Sequence, residues 1–393
     1  MWRELETAEP SLAVAAYGLL DVDGARRQAV EAAGVLDLLL DSELAARLEG
    51  LAWLVFSEYC LACWADAARH ASRAVEIARA TGQQHLEAPM HVIAGIAQLA
   101  QGNVAEARDA ADMARESARR CASDLFTAWA LTLECMVDLV DGAPGRAVQL
   151  GEQAVTVARE SHSAWASVAD GYLAEAYLLA GRPRSASQQL LAGGEQPRLA
   201  PLGFCCVHAY QVLVAAAIAT KDLQGAGRWA REAKAAAERL GLDACRAQAR
   251  RAQAMVLLAR GEAARASEHA VAAAAAAGRA RLGVEAARAL ALAARAQAQL
   301  GDTAGAQELD AQARALAPTG VLGPAVVSRP AAGEMPALSV RERQMAELAA
   351  TYTNRQIADQ LGVSEKTVEA TLRNAFAKLG VNSRGELAEL MKG

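Results

Sequence analysis

One short pattern recurs through most of this 393-residue chain and limits what it can become. An apolar residue, a glycine three positions on and an alanine five beyond that appear as Leu99, Gly102 and Ala107 in "LAQGNVAEA". They return as Leu139, Gly142 and Ala147 in "LVDGAPGRA", and as Leu178, Gly181 and Ala186 in "LLAGRPRSA". The step continues through Ile218, Lys221 and Ala226, then Leu258, Gly261 and Ala266, then Gly301 and Ala306; Tyr59, Ala62 and Ala67 make an earlier copy. The anchors at 102, 142, 181, 221, 261 and 301 lie 39 or 40 residues apart. Such self-similarity predicts an array of helical hairpins, because one helix pair cannot bury its apolar face alone and must stack on copies of itself.

Local chemistry agrees with this reading. A helix ends on an apolar residue, a glycine in the left-handed region turns the chain, and a small alanine at the crossing lets the next axis approach closely. Leu86, Met90, Ile93, Ile96 and Ala97 fall at helical spacing, and Ala107, Ala110, Ala114 and Ala118 mark the return helix. The expected fold is all-α: a helical-hairpin superhelix over residues 1–317 with a period of about 40, then a smaller unit. Its concave face would be a binding surface for a small molecule or a protein, and the pattern leaves both open. Trp53, Trp64, Trp129, Trp165, Tyr172 and Trp229 are candidate contacts there, since aromatic side chains dominate recognition surfaces; each also reads as repeat core.

Composition bounds the class. With 53% hydrophobic residues the chain can bury a sizeable core, yet no apolar run approaches the roughly 18 residues a spanning helix needs. The opening "MWRELETAEP" lacks the basic start and apolar stretch of a signal peptide, so a cytoplasmic location without membrane contact is expected. Seven scattered cysteines do not read as a disulfide framework. Cys60 and Cys63 in "CLAC" have no second pair to complete a zinc tetrad, and read as small apolar side chains in a helix.

Four of the ten prolines, Pro318, Pro324, Pro330 and Pro336, crowd into residues 318–336, a density that denies helix and makes a semi-extended linker. Residues 337–393 follow with eight Lys/Arg against seven acids, a charge of +1 where the rest of the chain carries −6. Here start and stop signals crowd together. Ser339 with Glu342 and Thr353 with Gln356 have capping-box spacing. A helix from about Asn354 to Leu361 stops at Gly362, and Ser364 caps the next. Val368, Leu372, Ala375 and Leu379 share one face of that second helix and would pack on Ile357, Ala358 and Leu361. Lys366, Glu369, Ala370, Arg373 and Ala377 point outward, small residues among long polar ones, which suits insertion into a major groove.

The resemblance now becomes specific. Residues 338–388, with "LS.RE", "TN..IA..L..S..TVE", "KLGV" and "SR.EL" in order and without a gap, resemble the LuxR-type helix-turn-helix of bacterial regulators. The repeats resemble tetratricopeptide-like arrays, and more closely, by their longer unit, the helical-repeat part of large activators of the maltose-regulator type. The resemblance implies a small four-helix unit whose third helix, 365–379, enters the major groove and whose fourth, 383–391, often mediates dimer contacts. Carried over position by position, it implies base reading by Glu369, Ala370 and Arg373 and phosphate contact by Thr353, Asn354, Lys366, Thr367 and Lys378. Arg384 matches a position that braces the fourth helix, and Leu387, Leu390 and Met391 are a possible dimer face. Thr351 stands where the family usually has glycine, and Thr371 where it commonly has histidine.

Double-stranded DNA is therefore the expected partner, bound by a homodimer, because a unit of charge +1 gains little from phosphate neutralisation alone. An effector or partner protein on the repeats is expected to control it. The alternative is a repeat-based scaffold whose terminal helices do not touch DNA. No enzyme is expected, hence no catalytic residue, cofactor or metal. The chain has no Gly-Lys pair and so no P-loop, and its six histidines lack ligand spacing, His208 and His269 reading as polar tips on helices.

Overall fold

A computed structural model describes residues 21–163, 165–191, 203–317, 340–349 and 352–379. Every regular element among them is helical. The chain divides into two compact units, Met1–Val326 and Val327–Gly393. The proline-rich stretch 318–336, Ser339, Thr351 and the expected fourth helix with Arg384, Leu387, Leu390 and Met391 lie outside the described residues.

In the first unit α1 (Val22–Leu36) and a single turn at Asp41–Leu44 precede the array. Then come α2 (Leu48–Cys60), α3 (Trp64–Thr81), α4 (Glu87–Gln101), α5 (Val104–Arg120), α6 (Asp124–Asp141) and α7 (Pro144–Glu160). The array continues as α8 (Ala166–Leu179), α9 (Pro183–Leu191), α10 (Gly203–Ala219), α11 (Leu223–Leu240) and α12 (Asp243–Ala259). It ends with α13 (Ala263–Arg279), α14 (Gly283–Gln299) and α15 (Thr303–Leu316). Each helix packs on the next, and the even-numbered helices from α2 to α14 also touch one another in succession. They form an inner layer, and the odd-numbered ones lie outside it.

The anchor row is a row of left-handed residues. Gly102, Gly142, Gly181, Gly261 and Gly301 have φ between +74° and +97°, and Lys221 and Ala62 take the same conformation at +64° and +58°. A second row, not evident in the sequence, falls midway: Gly82 and Gly241 share it with Ala122, His162 and Arg281, at φ from +47° to +72°. The chain thus reverses about every 20 residues, once within and once between hairpins.

Inner helices bury both faces, and several carry acids and histidines that need partners. Arginines supply many of them: Arg120 reaches Glu87 at 2.9 Å, Arg115 reaches Glu134 at 2.5 Å and Arg159 reaches Asp170 at 2.9 Å. His70 lies buried between Glu58, 2.7 Å from Nδ1, and Asp37, 3.1 Å from Nε2. Burial alone would lower its pKa, but the hydrogen bonds and charges of the two carboxylates outweigh burial and raise it. His91 is the opposite case: burial, then the charge of Arg79, pushes it down to about 4. Its Nε2 accepts from Arg79 at 3.0 Å, which requires a neutral ring.

The array also meets itself. α4 contacts α14, ten helices further on, and a Cβ added to Gly283 would lie 2.5 Å from the Gln101 carbonyl oxygen. Only glycine admits that approach.

Candidate nucleic-acid interface

The second unit is built on α16 (Val340–Ala349), α17 (Asn354–Leu361) and α18 (Glu365–Leu379). Thr353 caps α17 in the expected box: its hydroxyl accepts from Gln356 N–H, and its own N–H donates to Gln356 Oε1 at 2.9 Å. Gly362 ends the helix at φ +63°, its N–H donating to the Ala358 carbonyl. Ser364 then accepts from Thr367 N–H at 3.1 Å and opens α18. Three residues thus separate the two helices, the spacing of a helix-turn-helix.

A small core holds the angle between them. Val368, Leu372 and Ala375 of α18 are buried against Ile357 and Ala358 of α17 and Met345, Ala346 and Ala349 of α16, with Leu361 packed alongside. The expected face is therefore in place, apart from Leu379, whose side chain lies outside the described residues. On the other side Lys366, Thr367, Glu369, Ala370 and Arg373 are all exposed. Thr353 is exposed at the head of α17 and Asn354 is half-buried beside it. Lys378 lies on α18, but its side chain is not described.

One feature of this face escaped the sequence reading. Glu369 and Arg373 stand four residues apart and pair at 3.6 Å, with 63% and 74% of their side chains exposed. Helical spacing alone signals such a pair, and at that exposure it is worth a few tenths of a kcal/mol, about 0.3–0.5. It orients the guanidinium without locking it. Thr371 donates its hydroxyl to the Thr367 carbonyl at 2.8 Å, so it serves its own helix.

The remaining candidates lie in the repeats. Trp64, Trp165 and Trp229 are buried. Trp129 stacks on Trp165 at 4.2 Å and Phe56 on Trp129 at 6.3 Å, forming an aromatic column of the inner layer. Trp53 is 48% exposed. His208 is no polar tip: it is buried, stacked on Tyr172 at 4.8 Å and 3.3 Å from Glu175. Cys60 is buried and Cys63 half-buried, and burial pushes the Cys63 thiol up to about 11.

Three helices around one core, a three-residue turn and an exposed polar face on the longer helix define a helix-turn-helix regulatory domain. Residues 336–391 match GerE, the luxR family of bacterial regulatory proteins. The spore germination protein GerE of Bacillus subtilis is 42% identical over 59 residues, which are 80% of its length and 14% of this chain. The chain belongs to the luxR family of bacterial regulatory proteins. The transcriptional regulatory protein UhpA of Salmonella typhimurium is 44% identical over 71 residues, 18% of this chain and 36% of UhpA. The Escherichia coli UhpA is 42% identical over the same length. This chain spans little more than a third of either UhpA. In fold it is similar over 98% of both chains to a Rap protein complexed with competence and sporulation factor, with a TM-score of 0.54 and 13% identity. That likeness supports a tetratricopeptide-like array. Among the described residues no helix is long and apolar enough to cross a membrane.

Proposed function

We propose that the chain regulates transcription as a homodimer in the cytoplasm, with residues 1–317 sensing an effector or partner protein, 318–336 as linker and 337–393 reading an operator. α18 lies in the major groove, where Arg373 donates to a guanine, Glu369 accepts from a cytosine amine, and Ala370 lets the backbone approach. Thr353, Asn354, Lys366, Thr367 and Lys378 hold phosphates and fix the register. Leu387, Leu390 and Met391 bring two copies together on adjacent half-sites. The observation that carries this reading is the exposure of Lys366, Thr367, Glu369, Ala370 and Arg373 along one side of α18 while Val368, Leu372 and Ala375 are buried on the other.

The second reading, a scaffold without DNA contact, draws on the Glu369–Arg373 pair, which occupies the cation a base would need. Selection from a randomised duplex pool with the full chain, over a salt series, separates the two. An enriched two-fold symmetric site is expected, with Arg373→Ala losing about 1–3 kcal/mol of discrimination at its base and Lys366→Ala weakening all sequences alike. No enrichment at low salt, with or without the effector, would favour the scaffold.

A further inference from the structure

The interior of the repeat array holds a cavity that DNA binding does not use. Two adjoining lobes, about 220 and 110 Å³, share Glu175, His208 and Arg288. The larger has an apolar wall of Leu178, Val212, Ala215, Met255 and Leu292, faced by Arg251, Arg288 and Arg295. Ile96 and Leu99 of α4 and Val284 and Glu285 of α14 line the smaller, so the cavity lies where the array meets itself.

Its charges do not balance. Arg288 pairs with Glu175 at 2.8 Å and Arg251 with Glu285 at 2.7 Å, all four side chains at least 85% buried. Arg295 is exposed at the mouth and has no ion-pair partner among the described residues. Three guanidinium groups therefore face two carboxylates. Both carboxylates are engaged: Glu175 also has His208 at 3.3 Å, and Glu285 also accepts from Gln211 Nε2 at 3.1 Å. Burial alone would raise the Glu175 pKa, but Arg288 and His208 hold it well below the usual carboxylate range, so its charge is spent inside the cluster. Neither carboxylate is left free for a cationic ligand, whereas one negative charge would neutralise the excess. Gln248 Oε1, an acceptor, is buried without a donor in the smaller lobe, which Arg295 does not line.

We infer that this cavity binds an aliphatic carboxylic acid, its carboxylate on Arg295 with Arg251 and Arg288 behind, its hydrocarbon along Leu178, Val212, Ala215, Met255 and Leu292. Charge-assisted hydrogen bonds from guanidinium give the orientation and the desolvated wall gives the affinity. A free acid and the apolar C-terminus of a peptide share this chemistry. The inference deepens the effector-sensing role proposed above and, for its regulatory consequence, rests on it.

Calorimetric titration of the full chain tests it, with octanoate and N-acetyl-leucyl-leucine as probes and octanol and the dipeptide amide as neutral counterparts. One-to-one binding is expected for at least one carboxylate, with its neutral counterpart at least about tenfold weaker. Arg295→Ala, at an exposed position that the fold does not need, should lose about tenfold, and Ala215→Trp should close the larger lobe. Octanoate binding alone points to a free acid, dipeptide binding alone to a peptide end. Equal binding of acid and neutral probes, unchanged binding by Arg295→Ala, or no binding of either acid would overturn the site. Affinity for the selected duplex, measured with and without the bound acid, is read separately. A carboxylate that binds without changing it refutes effector control and leaves the site standing.

Discussion

Replacing Lys221 by glycine should stabilise the repeat array. Lys221 holds φ +64° at an anchor where five other copies have glycine, and its side chain is exposed, so no packing is lost. An L-residue in the left-handed region carries a penalty of roughly 1–2 kcal/mol from its Cβ. Glycine returns about 0.4–1 kcal/mol through its freer unfolded chain. The net gain is about 0.5–1 kcal/mol, and Lys221→Ala, which keeps the Cβ, should give none. Ala122, His162 and Arg281 are also exposed at positive φ, and they are well separated along the array. Their substitutions should add, bringing the four-glycine variant to roughly 2–4 kcal/mol. Urea denaturation followed by far-ultraviolet circular dichroism is the assay, the shift appearing in the midpoint with the slope unchanged. A lower midpoint for Lys221→Gly, or an equal rise for Lys221→Ala, would refute the assignment of strain to these turns.

Three further outcomes follow from the geometry. His91 is held neutral down to about 4 against an ordinary 6.5, so the stability it contributes is complete above pH 6.5 and is lost as pH falls toward 4; His91→Gln, which keeps an acceptor for Arg79, should flatten a pH series of melting temperatures over that window. Arg288→Met should cost about 3–5 kcal/mol in chemical denaturation by stranding the buried Glu175, and adding Glu175→Gln should recover much of it; a full loss in the double variant would contradict this. Gly362→Val forces a β-branched residue to φ +63° and should abolish duplex binding at temperatures where the repeat array still melts as wild type; retained binding would mean the turn tolerates another conformation.

Sequence alone carried the all-α class, the hairpin period and the family of the C-terminal unit, because each depends on local signals repeated or set in strict order. The anchor row was legible where glycine occupies it and even through Lys221, since its neighbours kept register. The alternate row was not, because Ala122, His162 and Arg281 are ordinary residues whose positive φ is imposed by the helices on either side. Likewise His208 looked like a polar tip: its companions Glu175 and Tyr172 lie on another helix more than 30 residues away, and only packing brings them together. On α18 the buried and exposed sides were plain from spacing, while the Glu369–Arg373 pair was visible in the four-residue step and went unread.

The approach of Gly283 to Gln101 has a consequence for how such a chain can change. In an open stack each repeat answers only to its neighbours, so a unit can be gained or lost at little cost. Here two helices ten places apart are also partners, and a hairpin deleted or inserted between them would slide one past the other by the width of a unit. Arg288 of α14 on Glu175 of α8 and Tyr59 of α2 beside Cys205 of α10 bind distant units in the same way, so the array can drift in the composition of its units more freely than in their number.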